Sequence, residues 1–512
     1  MLQHAGRQKQ MQDCGICERA AGPEEDDMIE LTYEQKQTIG YLYVTELMAP
    51  CSPYGQEKLR NLVPYSRDEA DMLQRELDNL EELVKNRTEV KSALNELMHV
   101  FMRMKHVGNA LRRLLERPLT DVEFFECKNF LICTESAKRI TDALAGKIGL
   151  SGLQYEDTSD ALALLDPEGH RIPSFAIYDS YSDELRGIRE QKRAIERKME
   201  GADAETWEKL KQERASLVMA EEQEEQQVRV RLSEELRPFA DRMKSNMTVT
   251  ADLDLLMEKA RIASAKGAVR PVITEDTLSF TNVRNPEVEA ILSEKRLSFT
   301  PLSIALGNGA GLITGANMGG KSVALNTVTL NVYLALSGFF VFSDNAQVPF
   351  FDSILLLSED MQSVRQSLSS FGADVVQMKH ALDAVEKEYC FVVLDEFARG
   401  TNPDEGTALV RAVTRYLNER DVMALIVTHY DGIATYGNAH YQVAGLKDLD
   451  MEQVKTEIAA SGSTGVDVIA AHMNYGIYPV SHAESPPKDA FRVCRLLGLQ
   501  EEVLRLAGES AG

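Results

Sequence analysis

The chain has 512 residues, 44% of them hydrophobic, and a formal net charge of −24 with a pI near 4.9. That length exceeds one hydrophobic core and predicts about three domains; the acidic balance excludes a protein that coats nucleic acid indiscriminately, while a local basic groove stays open. No apolar run reaches the roughly 18 residues of a membrane helix, the N-terminus has no signal-peptide core, and the scattered cysteines fit a reducing compartment, so a cytoplasmic protein with no membrane role is expected.

Residues 1–27 read as a disordered leader closing on the acidic run Glu24-Glu25-Asp26-Asp27. Within it, Cys14-Gly15-Ile16-Cys17 is a lone CxxC with no second pair nearby; a metal or redox role is open, and two reduced thiols are the simpler reading. Residues 28–180 are predicted to form a helical domain. Leu73, Leu77, Leu80 and Leu83 recur at helical spacing, as do Leu94, Leu97, Val100 and Met104. Pro118 punctuates the block, a second helical segment runs from about Asp121 to Leu165, and Asp166-Pro167-Glu168-Gly169 is a turn. The charged stretch 181–237 predicts two helices folded back on each other. Arg186, Arg189, Arg193 and Arg197 share one face of the first. That face is either solvated and laced with pairs to Asp183, Glu190 and Glu196, or a stripe that contacts phosphates. The second helix carries Glu221, Glu222, Glu224 and Glu225, a poor surface to lay against DNA. Pro238 ends it, and a short helical connector over 238–269 leads to an α/β domain over 270–512.

The chemistry concentrates in that last domain. Gly311-Leu312-Ile313-Thr314 reads as a buried strand, and Leu325, Val328, Val332 and Leu336 as the core face of a helix. Between them stands Gly315-Ala316-Asn317-Met318-Gly319-Gly320-Lys321-Ser322. Strand, glycine-rich loop and helix aim backbone N–H groups and a helix N-terminus at one point, which favours a phosphate. Lys321 then reaches the β- and γ-phosphates of ATP and Ser322 ligates Mg²⁺. A second apolar strand, Tyr389 to Leu394, delivers Asp395 and Glu396 at its C-terminal end, where open α/β sheets bind ligands. Asp395 is placed for the Mg²⁺ shell and Glu396 for orienting or deprotonating the attacking water. A third, Met423 to Val427, ends in Thr428-His429, with His429 either a polar cap or a contact to the γ-phosphate and its water. Ser369 and Ser370 precede a helical pattern of Val375, Met378, Leu382 and Val385; they are N-caps or a signature that binds the γ-phosphate held by a partner subunit. Asn402-Pro403-Asp404-Glu405 reads as a capping-box start with Pro at the first helical position.

Taken in order, GANMGGKS, SLSSF, LDEFARGTNPDEG and VTHY resemble the ATPase domain of the MutS superfamily. The resemblance is strong from about 297 to 445 and weaker upstream, where Ser52-Pro53-Tyr54-Gly55 resembles the start of the family's core and lever domain and the charged hairpin a shortened clamp. It implies an ABC-type P-loop ATPase preceded by a mostly helical core and lever with a short clamp hairpin. It also implies a dimer, either of identical subunits or with a related MutS-like one. Each composite site would join one subunit's loop, Asp395, Glu396 and His429 with Ser369 and Ser370 of the partner subunit, and the C-terminal helices would dimerise. Phe299, before the loop strand, would pack near the adenine or simply in the core. The family's usual loop proline is Ala316 here and its usual threonine after the loop serine is Val323, neither removing a required contact. A mismatch-reading domain is not expected, and Phe124-Phe125-Glu126 is a coincidental echo of its wedge. The segment Ser358 to Ser363 leans toward the branch not devoted to mismatch recognition, which often carries a C-terminal nuclease that is not expected here.

Two functions follow from the resemblance. One is an ATP-driven clamp on DNA in mismatch repair or recombination, to which the arginine stripe would contribute. The other is a chaperone-like ATPase that reactivates a cobalamin-dependent amino-acid aminomutase without binding DNA, which suits the acidic balance and the short clamp.

Overall fold

A computed structural model describes residues 31–315, 320–358, 370–446, 451–461, 465, 468–469, 474–481 and 490–510. Among the described residues eleven α-helices come first: α1 (Tyr33–Thr38), α2 (Tyr41–Glu46), α3 (Pro53–Arg60), α4 (Ala70–Lys85), α5 (Arg87–Arg103), α6 (Gly108–Glu116), α7 (Asp121–Ile148), α8 (Ser159–Leu165), α9 (Asp183–Met199), α10 (Ala204–Leu236) and α11 (Ala240–Lys266). The chain folds as two compact units that interleave along the sequence: one takes 50–61 and 85–257, the other 31–49, 62–84 and 258–510. Two stretches of the helical region expected over 28–180 thus fold with the sheets, and the segment expected as a short connector is the 27-residue α11. Among the described residues no helix is long and apolar enough to cross a membrane.

The first unit is helical. Ser52 caps α3 by accepting the Gly55 N–H at 2.9 Å, and its hydroxyl donates to Asp254 of α11 at 2.6 Å. Its longest core element is α7, which opens with a capping box: the Thr120 hydroxyl accepts the Glu123 N–H and the Glu123 carboxylate accepts the Thr120 N–H. Phe124, Phe130, Ile140 and Leu144 are buried along it, so Phe124 is core. Lys128 of α7 and Asp166 form a buried pair at 3.0 Å at the start of the predicted turn.

Helices α9 and α10 lie antiparallel, joined by Ser182–Glu224, Arg189–Glu221 and Arg214–Glu196 contacts. The arginine face resolves toward internal pairing. Arg189, only 16% exposed, binds Asp179, Glu221 and Glu225, while Arg186 and Arg193 pair with Asp183 and Asp179. Arg189 thus neutralises Glu221, Glu225 and Asp179, while Arg186 and Arg193 stay largely exposed and the Arg197 guanidinium donates to the Arg193 carbonyl at 3.3 Å.

The second unit holds α4, whose Leu73, Leu77, Leu80 and Leu83 are fully buried, and two sheets. The strands are β1 (Val272–Thr274), β2 (Leu278–Val283), β3 (Leu302–Leu306), β4 (Gly309–Thr314), β5 (Asn345–Pro349), β6 (Ser353–Leu357), β7 (Cys390–Asp395), β8 (Met423–Val427), β9 (Ala439–Gly445) and β10 (Asn474–Pro479). A four-stranded sheet runs β1-β5-β2-β3 and a six-stranded one β10-β9-β4-β8-β7-β6. In the larger sheet β9, β4, β8, β7 and β6 are parallel, and β10 is an antiparallel edge. Being covered on both faces, β4 and β8 are buried at every residue, which is why they read as unbroken apolar runs. The later helices that position the site are α12 (Pro286–Glu294), α13 (Lys321–Leu336), α14 (Ser370–Val385) and α15 (Pro403–Asn418). All-round burial of α13 explains why it has no polar face.

Candidate functional site

Parallel pairing brings the C-terminal ends of β4, β7 and β8 side by side, and with them Lys321, Asp395, Glu396 and His429. At the first turn of α13 the Lys321 side chain is buried, with Nζ 3.1 Å from the Gly315 carbonyl oxygen and 3.4 Å from Glu396 Oε1. Burial pulls its ammonium below the ordinary lysine value, and the Glu396 charge opposes that pull. Ahead of α13, Gly320 has φ +85°, a left-handed conformation that a side chain resists, and the Tyr475 ring of β10 fills the space where a Cβ would stand.

Glu396 follows β7 with its N–H bonded to the Val427 carbonyl at 3.0 Å, which ties the acidic turn to the end of β8. Its carboxylate lies 3.3 Å from Arg399 and 3.8 Å from His429 Nδ1, so two cations and an imidazole converge on one acid. The neighbouring Thr428 N–H reaches the Ile313 carbonyl of β4 at 3.2 Å. Beneath the loop, His440 of β9 is fully engaged: Nδ1 is 3.1 Å from the Ser481 carbonyl, to which it can only donate, so Nε2 accepts the Thr314 hydroxyl at 2.8 Å.

This donor set fits a Mg²⁺–triphosphate. His429 Nδ1 and Ser358 Oγ, at the ends of β8 and β6, are buried without a hydrogen-bond partner among the described residues, the condition expected of groups that await a polar ligand. Ser322 is exposed at the first turn of α13 and Asp395 ends β7. One carboxylate and one hydroxyl suffice for Mg²⁺, which takes its remaining ligands from water and phosphate. A cleft of about 860 Å³ opens at the opposite, N-terminal edge of the strands, lined by Asp352, Glu388, Tyr389, Arg420 and Asp421 among others. Its wall is dominated by carboxylates, the wrong sign for a triphosphate.

Asn317, Met318, Gly319 and Ser369 lie outside the described residues, and Ser370 is described only as the first residue of α14. Val323 is half-buried on α13. Phe299 is half-buried in the loop before β3, next to Thr300, which approaches Gly476 of β10. Asn402 caps α15 by accepting the Asp404 N–H at 2.9 Å, with Pro403 first in the helix. The expected box is not closed through Glu405, whose carboxylate instead accepts the Thr401 hydroxyl at 3.3 Å. Sequence reasoning missed Arg399 as a neighbour of Glu396, His440 under the loop and Tyr475 over Gly320. For Arg399 a signal existed: a cation three residues after a catalytic-type carboxylate in a tight turn.

Residues 311–495 match the family model for MutS domain V. Among similar curated proteins is the Endonuclease MutS2 of Fusobacterium nucleatum, 35% identical over 236 residues, which are 45% of this chain and 29% of that protein. Those of Streptococcus sanguinis and Lactobacillus acidophilus are 30% and 29% identical over 303 and 304 residues, 59% of this chain in both and 36% and 35% of theirs. The chain thus spans about a third of the length of the curated relatives it matches.

Proposed function

From a chain that belongs to the MutS superfamily, we propose a Mg²⁺-dependent ATPase of the cytoplasm. It works as a dimer, with itself or a related subunit, and its cycle acts on DNA. The observation that carries this reading is the convergence of Lys321, Glu396 and His429 at the ends of three adjacent parallel strands. ATP seats its β- and γ-phosphates over α13, with the loop from Gly315 to Gly320 as cradle and Phe299 beside the adenine. Lys321 exchanges its contact with Glu396 for the phosphates. That exchange releases the carboxylate to hold the attacking water in line with the γ-phosphate. His429 contacts the terminal phosphate or that water, and Ser369 and Ser370 of the partner subunit complete the site. Ser322 and Asp395 would hold Mg²⁺, which when bound neutralises charge on the β- and γ-phosphate oxygens.

For the target, the relatives' printed name of endonuclease speaks for a nucleic acid. The reading as a reactivating factor for a cobalamin-dependent aminomutase has the acidic balance and the short clamp hairpin behind it, and the names of the relatives reported above do not speak for it. DNA is therefore the substrate carried forward, without assigning its contacts to the arginine face of α9. The test is retention of branched DNA by the purified protein with Mg-ATP, between about 50 and about 200 mM salt. Retention that falls steeply with salt is expected. No retention at the lower salt, in a sample that hydrolyses ATP, would remove DNA from the account and leave the ATPase standing.

A further inference from the structure

The acid that carries the proposed hydrolysis sits on a strained backbone. Glu396 has φ +53° and Ala398 φ +64°, two left-handed residues with a side chain, separated by Phe397 in a single turn. Such conformations are unfavourable for residues with a side chain and persist only where the surroundings over-determine them. The first restraint is the Glu396 N–H to the Val427 carbonyl, at 3.0 Å. The second comes from Tyr430, one residue beyond His429. Its buried hydroxyl donates to the Ala398 carbonyl at 2.9 Å, while its own N–H is fixed on the Thr428 hydroxyl at 3.1 Å.

Room for that hydroxyl is made by a glycine. Gly406 lies inside α15 with ordinary helical backbone, where glycine is less favourable than alanine, so conformation does not explain it. Space does: a Cβ at 406 would overlap the Tyr430 hydroxyl and come within 3.1 Å of the Ala398 carbonyl oxygen. Tyr430 therefore spans three pieces of the site: the end of β8 with His429, the turn that aims Glu396, and the helix after it. The two rings, His429 and Tyr430, lie 4.4 Å apart between centroids.

We propose that Tyr430 is a positioning residue for ATP hydrolysis. Seated over Gly406, its hydroxyl holds the left-handed turn that aims Glu396, and it makes the aim of that carboxylate depend on where the end of β8 stands. The proposal rests on the ATPase reading above. Tyr430→Phe keeps the ring and removes only the hydroxyl; Gly406→Ala keeps the hydroxyl and displaces it.

Steady-state hydrolysis and ATP binding are measured for the full chain, for both variants and for Glu396→Gln. Both variants should lose about tenfold in kcat while the Kd for ATP stays within about twofold. Thermal melting should show both folded, a split that a merely structural lesion would not produce. No hydrolysis by the unaltered chain would bring down the ATPase reading and this proposal together, and hydrolysis by Glu396→Gln at the unaltered rate would remove the role of Glu396 and with it the aim that Tyr430 is proposed to hold. With that control behaving as expected, Tyr430→Phe and Gly406→Ala turning over within twofold of the unaltered chain would overturn the positioning role alone. So would a parallel loss of ATP affinity and kcat, because the defect would then lie in the binding site as a whole.

Discussion

Glu123→Gln offers a stability test of the helical unit whose size follows from the contacts of one carboxylate. Glu123 is buried at the start of α7. One oxygen accepts the Thr120 N–H at 2.8 Å and its hydroxyl at 2.9 Å; the other takes Arg113 at 2.7 Å and Arg117 at 2.9 Å. Burial alone would raise its pKa, but the Thr120 N–H and the two guanidiniums outweigh burial and bring it from 4.5 to about 2. Between pH 2 and 4.5 the unfolded chain holds a proton that the folded one does not, so stability rises with pH across that window. The contribution is complete above 4.5 and lost as pH falls through about 2, and it amounts to about 3 kcal/mol. The amide that replaces the carboxylate can reproduce one cap contact but carries no charge for the arginines. Urea unfolding followed by circular dichroism at about pH 7 and near pH 2.5 should show the variant less stable by about 3 kcal/mol at the higher pH and by only about 1 kcal/mol at the lower. An equal deficit at both pH values would refute the electrostatic reasoning, leaving lost packing as the cause.

Lys321→Met removes the buried cation but keeps a long apolar stem. Losing a charge-assisted contact worth about 1.5–3 kcal/mol should weaken ATP binding roughly 10- to 100-fold in a nucleotide titration. Arg189→Ala leaves Asp179, Glu221 and Glu225 short of their shared partner. Denaturant unfolding should report a loss of about 2 kcal/mol from the paired helices α9 and α10, with the ATPase rate unchanged.

What the sequence made legible was whatever local pattern dictates. Unbroken apolar runs marked β4, β7 and β8 because strands covered on both faces have no polar side to show, and the acids and histidine that end them follow directly. Asn402 and Pro403 announced the start of α15 by the same local chemistry. Contacts between residues far apart in the chain were not legible. Tyr430 touches Ala398 across 32 positions and Thr314 meets His440 across 126, and no periodicity encodes either. The four-stranded sheet was also hidden, since its strands are short, partly exposed and contributed by segments either side of α13. The helical connector expected over 238–269 is the single helix α11, whose apolar residues are spread around it instead of keeping to one stripe.

In the proposed cycle Glu396, flanked by Lys321 and His429, directs water onto the terminal phosphate of ATP. The most direct measurement of this role is a single-turnover experiment with Glu396→Gln and radiolabelled Mg-ATP, separating bound ATP from released phosphate. ATP should be held at near-normal affinity and cleaved at least about 100-fold more slowly than by the unaltered chain. Cleavage at the unaltered rate with ATP bound would contradict that role.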